Sequence, residues 1–156
     1  AMSDDETFES ADAGASQTIP MEAGQIRKGG YIVINNRPTK VVEVSVSKTG
    51  KHGHAKCSIT ALDIFTNKKL ETMSPSTHNV EVPTVKRQQY TITFVDDDGF
   101  ASLMLEDGST REDLKVPDEH RPEVDRLLDE DGDAIVDVVA AMGEEHIMSV
   151  KKSVAQ

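Results

Sequence analysis

Tryptophan is absent from this chain and aromatic residues make up only 4% of it, so a large aromatic core is excluded and Val, Ile and Leu must build the interior. At 156 residues with 37% hydrophobic content, two small aliphatic cores suit the length as well as one ordinary domain. Long apolar runs are also missing: no stretch approaches the roughly 20 residues that a membrane span requires. The start is polar and acidic, without the basic and apolar regions of a signal peptide, so the expectation is a soluble, cytoplasmic protein. Ala1 and Met2 read as a cloning remnant. With one cysteine, Cys57, an internal disulfide is impossible and a reduced compartment fits. Cys57 lies in an alternating strand pattern, which favours inert packing or surface over a reactive thiol.

Basic residues are missing from the first 25 positions, which hold six acids. Residues 26–69 reverse this with nine Lys or Arg against two acids, Glu43 and Asp63, and residues 70–156 return to eight bases against twenty acids. The net charge of -11 thus hides a basic block inside an acidic chain. That pattern fits one module facing phosphate while the rest avoids indiscriminate adhesion; the blander alternative is a chance cluster on a solvated face.

Residues 1–16 carry acids, Ser, Ala and Gly, and too little apolar surface to fold alone, so a disordered tail is expected. From Tyr31 short β-branched runs begin: 31–34, a turn through Asn35-Asn36-Arg37-Pro38, then 41–46, 55–63, 69–73 and 80–82. Five strands with short loops suit a small barrel over 17–83, closed by Val82-Pro83, with a hinge at 84–86. A second β pattern over 87–154 places Tyr90, Ile92 and Phe94 on one face, turns at Asp96-Asp97-Asp98-Gly99, returns over 100–105 and turns again at Asp107-Gly108. An acidic helix is expected over 118–130, bearing Val124, Leu127 and Leu128 on one side. Residues 134–142 fit helical spacing, yet their β-branched density favours a buried strand, and 146–154 form a last one. A five-stranded barrel with an inserted acidic helix has the composition of an OB fold. The fold class expected is therefore mainly β, in two small barrels.

The most specific stretch is Lys48 to Lys56, K-T-G-K-H-G-H-A-K, placed where a strand pattern breaks. Gly50 and Gly53 permit a tight bend that pushes Lys51 outward to a loop tip. There its amine is a mobile, hydrated cation, suited to phosphate or to covalent modification. Gly50-Lys51 is followed by His52 and preceded at the required offset by Ser45, so a P-loop fails twice and nucleotide hydrolysis is not expected. His52, His54 and Cys57 lack the further ligands of a zinc site, and Asp96 to Asp98 lack the calcium-loop spacing, so no metal is expected. No nucleophile triad or carboxylate pair is identifiable by spacing, and His78 and His146 read as structural.

K-T-G-K-H-G-H-A-K, together with D-I-F-T-N-K-K at 63–69, S-P-S-T-H-N-V-E-V-P at 74–83 and R-E-D-L-K-V-P at 111–117, closely resembles the hypusine-containing eukaryotic translation initiation factor 5A family. The resemblance runs from about residue 17 to residue 152. Asn67 stands where the family often has glycine, Cys57 where other small or apolar residues occur, and residues 118–156 match more loosely. The resemblance implies an SH3-like basic module, a hinge and an OB-fold module. It implies that Lys51 receives an aminobutyl group from spermidine and then a hydroxyl, becoming hypusine, through deoxyhypusine synthase and deoxyhypusine hydroxylase. Their NAD and iron are then not cofactors of this chain. It further implies a non-enzymatic factor that binds the ribosomal exit site and rRNA and reaches the acceptor end of peptidyl-tRNA. Lys48, Thr49, Gly50, His52, Gly53, His54 and Lys56 would shape or electrically support the loop. Two rivals stand beside this reading: a general single-stranded nucleic-acid-binding or RNA-chaperone protein using the OB module, and a protein adaptor using the acidic C-terminal half. The first is weakened by an acidic second module with only Tyr90, Phe94 and Phe100 for stacking.

Overall fold

The structure is a computed structural model that describes residues 17–48 and 55–153. The chain divides into two compact units between Thr84 and Val85. Both are built from antiparallel strands, in a mainly β fold of two small barrel-like units.

In the first unit, β1 (Thr18–Glu22) pairs with β6 (Asn79–Pro83), and a short 3-10 turn, Ala23–Gln25, follows β1. The remaining strands form a sheet in the order β2 (Tyr31–Ile34), β3 (Arg37–Lys48), β4 (Ala55–Asp63), β5 (Lys69–Pro75). The expected turn after β2 is shorter than the sequence suggested. Asn35 and Asn36 alone make it, both at positive φ (52° and 64°), the backbone of a two-residue hairpin whose twist matches its strands. Arg37 and Pro38 already belong to β3, opposite Ile34 and Val33. Strand β4 lies where alternation placed it, with Cys57, Ile59 and Ala61 at 1% exposure or less. Those residues meet Ile32, Ile34 and Val41 in one aliphatic cluster, each large side chain contributing about 1.5–3 kcal/mol by leaving water. The buried Thr39 hydroxyl donates to the Ile32 carbonyl at 2.6 Å, so no polar cost remains there.

In the second unit five antiparallel strands run in the order β11 (Glu144–Lys151), β10 (Ala134–Ala141), β7 (Lys86–Val95), β8 (Phe100–Met104), β9 (Thr110–Lys115). Residues 134–141 are a strand, as their β-branched density indicated. Helix α1 (Arg121–Asp131) starts three residues later than expected, with Pro122 in its first turn, and ends at Gly132 (φ 84°), whose amide donates to the Leu128 carbonyl. Val124 and Leu127 are buried against the sheet core, and Leu128 packs beside them. Phe94 departs from the expectation that it shares a face with Tyr90 and Ile92. The β7–β8 register slips between Ile92 and Phe94, and this bulge turns Phe94 outward to 58% exposure while Val95 packs on the core. Strand β9 carries mostly polar residues, so its sequence has no strand pattern; pairing with β8 makes it one.

Candidate functional site

The β3–β4 pairing continues without a break from Glu43↔Thr60 to Lys48↔Ala55, and residues 49–54 join these two ends. Beyond Val44 every residue of β3 is exposed. At about 3.3 Å per residue, Ser45 to Lys48 carry the strand roughly 13 Å past its last partly buried position. The hairpin is therefore a core-anchored arm. Cross-strand partners share a face and successive residues alternate, so Lys48 (opposite Ala55) and Lys56 (opposite Ser47) place one cation on each face of its end. Thr49, Gly50, Lys51, His52, Gly53 and His54 lie outside the described residues, as does the acidic segment 1–16.

The β4 side of the arm is held by backbone. The Ser76 amide donates to the Ala55 carbonyl and the Gly24 amide donates to the Ser76 carbonyl, each at 2.9 Å. A Cβ at position 24 would lie 3.2 Å from that Ser76 oxygen, a tight contact, so the close approach favours glycine. Cys57, opposite Val46 and Ser74, is 1% exposed and fills the core beneath the arm.

The other end of β4 is fastened by Asp63, which is 4% exposed. Its carboxylate accepts from Arg37 Nε at 2.7 Å and Nη2 at 3.2 Å, and from the amides of Phe65 at 2.9 Å and Thr66 at 3.1 Å. Burial alone would raise the Asp63 pKa; the Arg37 guanidinium and the two amides outweigh it and hold the carboxyl below its ordinary value. Asn67 follows at φ 65°, so asparagine supplies the left-handed turn at this position. This anchor was not singled out from the sequence, although an aspartate at a strand end, directly before a turn, is the available signal.

In the second unit Arg111 on β9 reaches Glu145 on β11 (2.8 and 2.9 Å), Asp113 (2.7 and 2.8 Å) and the Tyr90 hydroxyl (3.0 Å). These partners, Asp113 and Glu145 foremost, raise the guanidinium pKa against the opposing effect of burial. The contact ties together the two strands at the ends of the sheet order. Among the described residues, no helix is long and apolar enough to cross a membrane.

An SH3-like basic unit followed by an OB-fold unit defines a class of two-module β proteins. The profile described as translation initiation factor 5A-like, N-terminal, matches residues 16–78, and that described as eukaryotic elongation factor 5A hypusine, DNA-binding OB fold, matches residues 84–151. The chain is 55% identical over 153 residues to eukaryotic translation initiation factor 5A-1 of Arabidopsis thaliana, covering 96% of this chain and 97% of that one. It is 53% identical over 154 residues to the Saccharomyces cerevisiae protein of the same name, covering 97% and 98%. Among solved structures, a translation initiation factor 5A family protein from Naegleria fowleri superposes with a TM-score of 0.81 at 47% identity, over 87% of this chain and 99% of that one. The chain belongs to the eukaryotic translation initiation factor 5A family, a family of translation factors whose C-terminal profile bears the name of hypusine.

Proposed function

We propose that this protein is a translation elongation factor in which Lys51, converted to hypusine, positions peptidyl-tRNA so that slow sequences such as consecutive prolines react, and that it assists termination in the same way. The observation that supports this most is the hairpin arm, whose paired strands, exposed along β3 beyond Val44, lead into the six residues that include Lys51. Deoxyhypusine synthase and deoxyhypusine hydroxylase supply the modification from spermidine in the cytoplasm, and the chain itself needs no cofactor. The lengthened side chain carries a second amine, able to hydrogen-bond phosphate or ribose at the acceptor end of the tRNA. Lys48 and Lys56, one on each face of the arm, add charge beside it, and Thr49, Gly50, His52, Gly53 and His54 give the connecting segment its shape. Bound at the ribosomal exit site, the factor lowers an entropic barrier by holding the reactant in place and donates no proton, so it assists the ribosome's catalysis and is not an enzyme.

Lys51→Arg tests this directly, because arginine keeps the charge and cannot accept the spermidine-derived arm. The variant should melt as the parent does and fail to relieve stalling on a polyproline message in a reconstituted system that includes both modifying enzymes. Full relief of stalling by Lys51→Arg would refute the proposal.

A further inference from the structure

In the second unit Arg111, Arg121 and Arg126 hold carboxylate partners, while among the described residues Lys86, Arg87, Lys115, Lys151 and Lys152 form no ion pair. In the first, Arg37 is paired with Asp63, whereas among the described residues Arg27, Lys28, Lys40, Lys68 and Lys69 form no ion pair. All five are exposed. Sheet register places two of them together: Tyr31, Lys40, Leu62 and Lys69 are successive cross-strand partners on β2, β3, β4 and β5. The row is on the outer face, since the adjoining row of Ile32, Thr39 and Asp63 is buried. With strands about 4.8 Å apart, Lys40 and Lys69 stand roughly 10 Å apart with Leu62 between them and Tyr31 at the edge. At the same end the turn containing Arg27 and Lys28 leads into β2, and its Gly29 and Gly30 hydrogen-bond the Val41 backbone, next to Lys40. Toward the arm the next outer row, Glu43, Thr60 and Glu71, is anionic at both ends. It separates these cations from Lys48 and Lys56.

We infer that the outer row Tyr31–Lys40–Leu62–Lys69, with Arg27, Lys28 and Lys68 around it, is a second RNA-backbone contact surface, separate from the Lys51 arm. The inference rests on the ribosome-directed reading above and adds the partner chemistry of a different face. Unpaired lysines exchange their counterions for phosphate at no cost of breaking protein ion pairs, a cost that the paired Arg111, Arg121 and Arg126 of the second unit would incur. Two lysines fixed on rigid strands, with a tyrosine edge and a leucine between them, suit the sugar-phosphate backbone of structured RNA more than a base-specific site. Such a surface grips the ribosome whether or not Lys51 is modified.

The test uses the full, unmodified chain and an A-form RNA hairpin of about 20 base pairs, with affinity followed from low to high salt. Lys40→Gln/Lys69→Gln should weaken binding at low salt and reduce the log–log salt slope by about 2, one for each lost phosphate contact, while melting like the parent. Arg121→Gln/Arg126→Gln, which removes equal charge from paired positions, should leave the slope unchanged. An unaltered slope in the lysine variant, an equal loss in the arginine variant, or displacement of the RNA by polyglutamate at the same charge concentration would each overturn the inference; the last would assign the face to acidic protein. Lys51 is unmodified throughout, so these outcomes are independent of whether hypusine relieves stalling.

Discussion

Replacing Arg37 with alanine tests whether the buried Asp63 carboxylate fastens the end of β4 away from residues 49–54. Arg37 supplies two of the four described N–H donors to that carboxylate, and the amides of Phe65 and Thr66 supply the others. Removing one partner of a fully buried ion pair costs about 3–5 kcal/mol. The Asp63 side chain is only 5% exposed, but that of Arg37 is 32% exposed, so water replaces part of the lost interaction and about 2–3 kcal/mol is expected. For a unit of this size each kcal/mol shifts Tm by roughly 4–8 °C, so the first unit should melt about 8–24 °C lower. Calorimetry of the full chain reads this as an early transition while the second unit's transition stays in place. The pH dependence supplies an independent sign. Because folding depresses the Asp63 pKa below 3.8, its contribution is fully present above that value and is lost as pH falls through the folded pKa. The parent should therefore lose stability below about pH 4, and the gap between parent and Arg37→Ala should narrow there. Equal melting of the two proteins at neutral pH, or a gap that widens in acid, would refute the reasoning.

The bulge in β7 predicts opposite outcomes for two neighbouring residues. Ile92→Ala, at 0% exposure, should cost about 2–5 kcal/mol, whereas Phe94→Ser, at 58% exposure, should stay within about 0.5 kcal/mol by urea titration. A large loss from Phe94→Ser would show that the residue is inside the core after all. Arg111→Gln should lower the melting temperature of the second unit by several degrees through loss of a partly exposed link between β9 and β11, and high salt should reduce the difference between parent and variant. Hydrogen exchange should then quicken first in β9 and β11; uniform exchange across the sheet would count against a seam.

Local patterns in the chain were readable wherever a strand buries alternate residues or a turn needs special backbone. β4 spans the predicted residues because Cys57, Ile59, Ala61 and Asp63 point inward in strict alternation. The Asn35-Asn36 hairpin and the Gly132 helix stop follow from residues that tolerate positive φ, and the Asp96 turn from a carboxylate that accepts from the Asp98 and Phe100 amides. β1 was not anticipated, because Pro20 and its unpatterned neighbours become a strand only through pairing with β6, some 60 residues away. β9 escaped for the same reason, since only Leu114 of its six residues is buried.

Chemistry that resides in a short stretch was present in the amino-acid order itself: the glycine-flanked Lys51, the basic block and the acidic surroundings. Tertiary structure decided what no window of sequence contains: that Arg37 meets Asp63, that Arg111 meets Glu145, that a bulge turns Phe94 to solvent, and that Lys40 and Lys69 share one outer row. The physical reason is range. Backbone preference and side-chain alternation act over a few residues, whereas ion pairing, register and facing depend on which distant strands come to lie side by side.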